Sequence, residues 1–257
     1  MEIVVVSIAA LFASALTLFS GFGLGTLLMP VVAIFFPIEV AIAITAMVHL
    51  ANNLFKVALL GKKASRSVLL SFGVPAVVTA FLGALVLGWL SVVPSILEYS
   101  AFGNQMQVSP LKLVVGMLIL AFVTLELSPK FSSIALDRKY LPYGGVVSGF
   151  FGGLSGHQGA FRSMFLLKAG LSKEEFVATG VMLAVMVDTS RMLIYGWEMS
   201  GQHHGIEWPL VIAASVSAFV GAYLGSRMLK KITIKSIQVM VSLLLVVVSL
   251  GLMSGVL

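Results

Sequence analysis

Apolar residues run along this chain in blocks that are hydrophobic on every side, and polar positions are confined to short breaks between them. The blocks cover roughly residues 3–20, 24–36, 40–60, 68–90, 111–127, 142–154, 160–167, 176–195, 208–229 and 237–257. A membrane strand alternates apolar and polar residues, whereas "MVSLLLVVVSLGLM" (240–253) shows no alternation, so the pattern predicts helices and not a barrel. A helix rises about 1.5 Å per residue and needs around 20 apolar residues to cross about 30 Å of hydrocarbon. Three blocks, 24–36, 142–154 and 160–167, are too short for that. They read as half-helices that meet their neighbours at "SGFGLG" (20–25) and "LSGHQG" (154–159), where glycine permits a tight turn and a close approach.

The polar breaks orient the helices. "GKKASR" (61–66), "SPKFSSIALDRKY" (128–140) and "RMLKKITIK" (227–235) are basic, whereas 91–110 and 196–208 contain neither Lys nor Arg. Basic loops stay in the cytoplasm, so the first three breaks are expected inside and the other two outside. Between 140 and 196 the chain must then cross an odd number of times, so 142–168 goes in and comes back as a re-entrant hairpin, and 176–195 crosses once. The same count makes 3–36 a hairpin, gives three full crossings in each half and leaves both termini outside.

Composition sharpens this picture. With 59% hydrophobic residues, 10% charged residues and a mean hydropathy of +1.09, the 257 residues form one integral membrane domain with little chain left for a soluble one. The start, "MEIVVVSIAALFASAL", lacks the basic stretch of a secretory signal and is expected to be a retained first helix. The net charge of +6 belongs to the cytoplasmic loops and not to a nucleic-acid surface. Absence of cysteine excludes disulfides and thiolate chemistry. No HExxH, no GxxxxGK[ST] and no usable pair of catalytic carboxylates occurs, so neither an enzyme nor an ATP-driven pump is expected. No cofactor or metal is expected either, because the adjacent His203 and His204 are too little for a metal site.

The halves repeat at a spacing of about 135 residues: Ser20, Gly21 and Met29 fall on Ser155, Gly156 and Met164, Asn53 falls on Asp188, and Lys56 on Arg191. Thr45 meets Thr179 after a one-residue gap. The fold expected is all-α, with repeat 1 over 1–128, a cytoplasmic linker over 129–141 and repeat 2 over 142–257. Each repeat is a short-helix hairpin, partly re-entrant, followed by three transmembrane helices. An odd number of crossings per repeat makes the two inverted, a recurring design of secondary transporters with broken helices near the midplane.

"SGFGLGTLLMPVVAIFFPIEVAIAITAMVHLANN" (20–53) and "SGFFGGLSGHQGAFRSMFLLKAGLSKEEFVATGVM" (148–182) together resemble the TauE/SafE sulfite-exporter proteins, whose pattern is a doubled glycine-rich motif followed by a proline and an Ala-Thr helix. The second copy departs from it, with Phe165 where the proline would fall and His157, Gln158 and Arg162 in place of glycines and aliphatics. The resemblance implies a carrier of sulfite, other sulfur oxyanions, organosulfonates or related small anions. A secondary anion transporter of the cytoplasmic membrane is the first reading, and an anion channel of the same architecture is the alternative. The partners expected are the small anion and the lipid bilayer. A homo-oligomer is allowed but not specified.

Candidate site residues cluster at the breaks. Arg162 lies about one turn into a short helix opening at Gly159, where unpaired N–H groups, the helix dipole and a guanidinium fork suit an oxyanion. The alternative for Arg162 is a structural pair or an interfacial anchor. Between the half-helices stand Ser155, His157 and Gln158, placed to meet substrate, while Gly21, Gly23, Gly25 and Gly156 act through backbone conformation. Asp188 and Arg191 share a helix face three residues apart. Asp188 is either a proton carrier or half of an ion pair with Arg191 or Arg162. His49 sits at similar depth in the first half with Asn52 and Asn53, and it either titrates or is structural. Lys56 is expected to snorkel to the cytoplasmic end.

Overall fold

The computed structural model describes residues 1–20, 23–101, 103–128, 130, 134–199, 207–228 and 234–257. The first half comprises α1 (Glu2–Ser20), α2 (Leu24–Val32), α3 (Ile38–Leu60) and α4 (Arg66–Val68), which runs through a π-helical turn at Leu69–Gly73 into α5 (Val74–Ser91). A β-hairpin, β1 (Leu97–Ala101) and β2 (Asn104–Val108), precedes α6 (Pro110–Leu127). The second half comprises α7 (Leu141–Ser155), α8 (Gly159–Leu166), α9 (Lys173–Met199), α10 (Trp208–Met228) and α11 (Ile234–Ser254). Helices α3, α9, α10 and the α4–α5 run are long and apolar enough to cross a bilayer, and α1, α6 and α11 contain shorter apolar stretches. Their outward faces carry Leu82, Leu85, Val216 and Leu243, all at least half exposed, a surface suited to lipid and not to water.

Small residues set the packing. On α7, Gly145, Gly149 and Gly153 recur every four residues on one face, and a Cβ at any of them would run into the backbone carbonyl oxygen of Phe72, Ala76 or Ala80. Helix α7 therefore lies directly on the first half's α5. Reciprocally, α1 of the first half lies on α10 of the second, where Gly221 and Gly225 meet the backbone of Leu11 and Ala15. At the centre α3 packs on α9, and α6 packs on α11.

Residue 156 ends α7 in the left-handed region, at φ 81°, with its N–H donating to Gly152 O at 3.0 Å, a conformation that glycine adopts without strain. Helix α8 starts three residues later and runs back: Leu136 N–H donates to Met164 O, and Asp137 pairs with Lys168, so the chain enters and leaves this hairpin side by side. Helix α2 is buried nearly all round. It runs through Pro30 and stops at Val32, earlier than its apolar block, where the chain bends into Pro37, whose ring disfavours helical backbone in the residue before it.

The β-hairpin stands where the sequence pattern gave only a connection. Met106 and Val108 point inward, Tyr99 Oη–H donates to Ser254 O at 2.5 Å, and Gly255 packs on the backbone of Gln107. The hairpin thus holds the end of α11. At the opposite end of the bundle Lys63 pairs with Glu174 and Arg138 donates to Ser67 Oγ, which brings the first two basic breaks to one end.

Candidate functional site

One face of α3 presents Thr45, His49, Asn52, Asn53 and Lys56, spaced three or four residues apart, toward the interior. Helix α9 answers with Asp188 and Arg191, which are 0% and 1% exposed. Arg191 donates from Nε and Nη2 to Asp188 Oδ1 at 3.0 and 2.7 Å, and His49 Nδ1 lies 2.6 Å from Asp188 Oδ2. Asn53 Nδ2 is 3.1 Å from His49 Nε2. The ring nitrogen that faces the carboxylate carries a proton, so His49 donates from Nδ1 to Asp188. Two helices from different halves are bridged by a carboxylate whose charge is matched by one guanidinium.

The network touches both hairpin tips. A Cβ added at Gly156 would lie 2.8 Å from Arg191 Nη1, so the tip must be glycine for Arg191 to reach Asp188 beside it. One turn further along α9, the Tyr195 hydroxyl donates to Gly153 O and pins α9 to α7. Gly25, at the start of α2, faces Thr45 and the carbonyl of Gly156, so the two tips meet.

Beside His49 lies a cavity of about 360 Å³ between α3, α8 and α9, toward the end of the bundle that holds the first two basic breaks. Its polar wall is His49, Asn53, Lys56, Arg162 and Ser163, and its apolar wall includes Leu24, Leu166 and Phe176. Lys56 is 9% exposed and faces this cavity instead of snorkelling to the surface. Arg162 donates from Nη1 to Gln158 Oε1 at 3.4 Å. Among the described residues neither cation has an ion pair, and no Asp or Glu lines the cavity.

Of the residues singled out from sequence, His49, Asn53, Arg162 and Gly23 line the cavity, and Asp188 and Arg191 stand directly behind His49. Asn52 turns away toward α1, where it accepts from Ser14 Oγ. Ser155, Gly156, His157, Gln158 and Gly159 do not line it. His157 is buried with its ring stacked on Phe122 at 5.2 Å, and Nδ1 is 3.1 Å from Ser155 Oγ. The Gln158 backbone carbonyl accepts from Ser148, and among the described residues neither His157 Nε2 nor Gln158 Nε2 has a hydrogen-bond partner. Gly21, His203 and His204 lie outside the described residues. Sequence reasoning missed Lys56, Ser163 and Thr17 as cavity residues and Tyr195 as the pin. The signal for Lys56 was present, since it lies seven residues, or two turns, after His49 on one helix face.

No curated protein and no solved structure matches the chain. The family model described as sulfite exporter TauE/SafE matches residues 6–252, nearly the whole chain. This bundle of apolar helices around a cationic cavity is therefore a multi-pass membrane protein that belongs to the sulfite exporter TauE/SafE family, a family of transporters and not of enzymes.

Proposed function

We propose that the chain is a secondary transporter of small anions in the cytoplasmic membrane and that the cavity between α3, α8 and α9 is its substrate site. The observation that carries this reading is the pair of cations, Lys56 and Arg162, on a cavity wall without an acid. Unpaired charge at such depth is costly, and a transported anion is the partner that offsets the cost. Arg162 lies in the first turn of α8, so the helix dipole adds to its charge. The family points to sulfite, another sulfur oxyanion or an organosulfonate as the cargo.

The reciprocal docking of α1 on α10 and α7 on α5 supports two inverted repeats related by a pseudo-two-fold axis. Sidedness follows from charge and aromatics. The first two basic breaks share one end, and Trp89, Trp197 and Trp208, all well exposed, lie near the helix ends opposite, where tryptophan favours the lipid interface. On this reading the cavity opens to the cytoplasm, and both termini lie outside. The His49–Asp188–Arg191 bridge and the meeting hairpin tips stand behind the cavity, which favours a carrier caught facing inward over a channel. His49, on the wall and bonded to Asp188, is the group through which a proton would couple.

The test is uptake of labelled sulfite by proteoliposomes under an imposed proton gradient. Accumulation above the external concentration identifies a carrier, and flux that only equilibrates identifies a channel. Arg162→Gln should weaken anion binding by about 1.5–3 kcal/mol, roughly ten- to a hundredfold. Arg162→Lys should restore part of that, because a point charge replaces the planar fork, and exposed Lys168→Gln should be silent. An Arg162→Gln protein that binds and moves sulfite as the wild type does would remove the cavity from the transport path.

A further inference from the structure

Charge in the cavity can be counted residue by residue. Asp188 and Arg191 cancel through bonds of 3.0 and 2.7 Å. His49 is engaged with Asp188 through Nδ1, 2.6 Å away, and with Asn53 at 3.1 Å. Asp188 is the acid whose field reaches Arg162, yet one of its oxygens is taken twice by Arg191 and the other by His49. What is left on the wall is Lys56 and Arg162, close enough to act on each other as like charges, with two positive charges and no acid among the described lining residues. A monoanion would leave one of these charges uncompensated beside an apolar wall. A dianion would leave none.

We infer that the cavity is built for a doubly charged anion, with Lys56 and Arg162 each answering one of its charges, so that a singly charged anion of the same shape is discriminated against. The inference rests on reading the cavity as the anion site. It specifies the charge state carried: sulfite and not bisulfite, and doubly charged sulfur anions generally. The two cations divide the task by their chemistry. The planar guanidinium of Arg162 fits two oxygens of one face of an oxyanion, and the Lys56 ammonium acts as a point charge from the opposite helix.

Calorimetric titration of the full chain in detergent micelles at neutral pH tests this with ions matched in shape and different in charge. Sulfite is compared with chlorate, both pyramidal, and sulfate with perchlorate, both tetrahedral, the sulfite value being corrected for the fraction present as bisulfite. In whichever pair binds, the dianion should bind roughly ten- to a hundredfold more tightly, the worth of one further charge-assisted contact. Chlorate and perchlorate shed water more readily than the dianions, so an unspecific basic cleft would give the opposite order. Lys56→Gln and Arg162→Gln should each abolish the preference by weakening the dianion while sparing the monoanion. Among the described residues neither cation has an ion pair to lose, so both variants should keep the fold. Equal affinity within a pair, or a preference untouched in both variants, overturns the dianion inference and leaves the anion site standing. Failure of all four ions to bind overturns the anion site itself, and this inference with it.

Discussion

Asp188→Asn isolates what the buried network contributes to stability. The amide has the size and shape of the carboxylate, so packing is unchanged, and what is removed is the charge and one of two accepting oxygens. Arg191 is 1% exposed and has Asp188 as its ion partner, so its guanidinium would stay buried without a counter-charge. Breaking a buried pair by removing one partner costs about 3–5 kcal/mol. The asparagine's single oxygen can accept from Arg191 or from His49 but not from both, and this loss overlaps the first because the same stranded donors are counted in it. Native stabilities are about 5–15 kcal/mol, so the variant should fold poorly. Arg191→Gln should cost less, about 1.5–3 kcal/mol, the range for a lost hydrogen bond to a charged group, because Asp188 keeps its bond from His49. The double variant Asp188→Asn/Arg191→Gln should recover much of the loss, since no buried charge is then stranded. Equilibrium unfolding in mixed micelles of wild type, both single variants and the double variant closes the cycle. An Asp188→Asn protein within about 1 kcal/mol of wild type, or additive single effects, would refute the claim that the pair is dry and mutually dependent.

Three further outcomes follow from the same geometry. If His49 couples transport to protons, sulfite accumulation driven by an imposed proton gradient should be lost in His49→Gln and leave only equilibrating flux, whereas undiminished accumulation excludes His49. Gly149→Ala places a Cβ against the backbone of Ala76, which cannot rotate away, so it should destabilise by about 1–3 kcal/mol in the unfolding titration. Gly196→Ala, in α9 with nothing within 4 Å, should instead stabilise by about 0.5–1 kcal/mol, and similar losses in the two would sink the packing argument. Because the chain has no cysteine, single cysteines replacing the exposed Lys62, Lys139 and Glu98 can map sidedness. An impermeant maleimide should reach the first two only from the cytoplasm and the third only from outside, and the reverse pattern would overturn the charge-based orientation.

Helix lengths were legible because hydrocarbon thickness turns apolar length directly into an element. The blocks 142–154 and 160–167 became α7 (Leu141–Ser155) and α8 (Gly159–Leu166). The β-hairpin was not legible, because five-residue strands between apolar helices carry too little alternation to stand out, and only Gly103 at φ 80° marks their turn. Within the site, spacing of three residues was enough to suggest the Asp188–Arg191 pair. Spacing alone cannot join His49 to Asp188 across 139 residues, or put Lys56 and Arg162 on one cavity, because periodicity fixes the face of a helix and not which helix that face meets. His157 and Gln158 drew attention as polar residues between glycines, yet the turn at Gly156 sends them into the interior, against Phe122 and α7.

The internal repeat of the sequence bears on the charge of the cavity as well. It matches Lys56 with Arg191, but the structure treats the two cations differently: Arg191 is neutralised, and Lys56 faces the cavity. The residue three positions earlier decides this, being Asp188 before Arg191 and Asn53 before Lys56. A carboxylate three residues before a cation on a helix lies within reach of it, as the 2.7 Å bond from Arg191 demonstrates. Asn53→Asp should therefore give Lys56 a partner, remove one of the two free positive charges and place a negative one on the wall that receives the anion. Sulfate and sulfite affinity should fall by at least the value of one charge-assisted contact, roughly ten- to a hundredfold, while the chain stays folded because the new carboxylate arrives already paired. Asn53→Asp/Lys56→Gln should bind no better, since the added acid is then unpaired. An Asn53→Asp protein that binds both anions as the wild type does would show that the absence of an acid from this wall is not what leaves Lys56 available, and that the charge division between the two halves lies elsewhere.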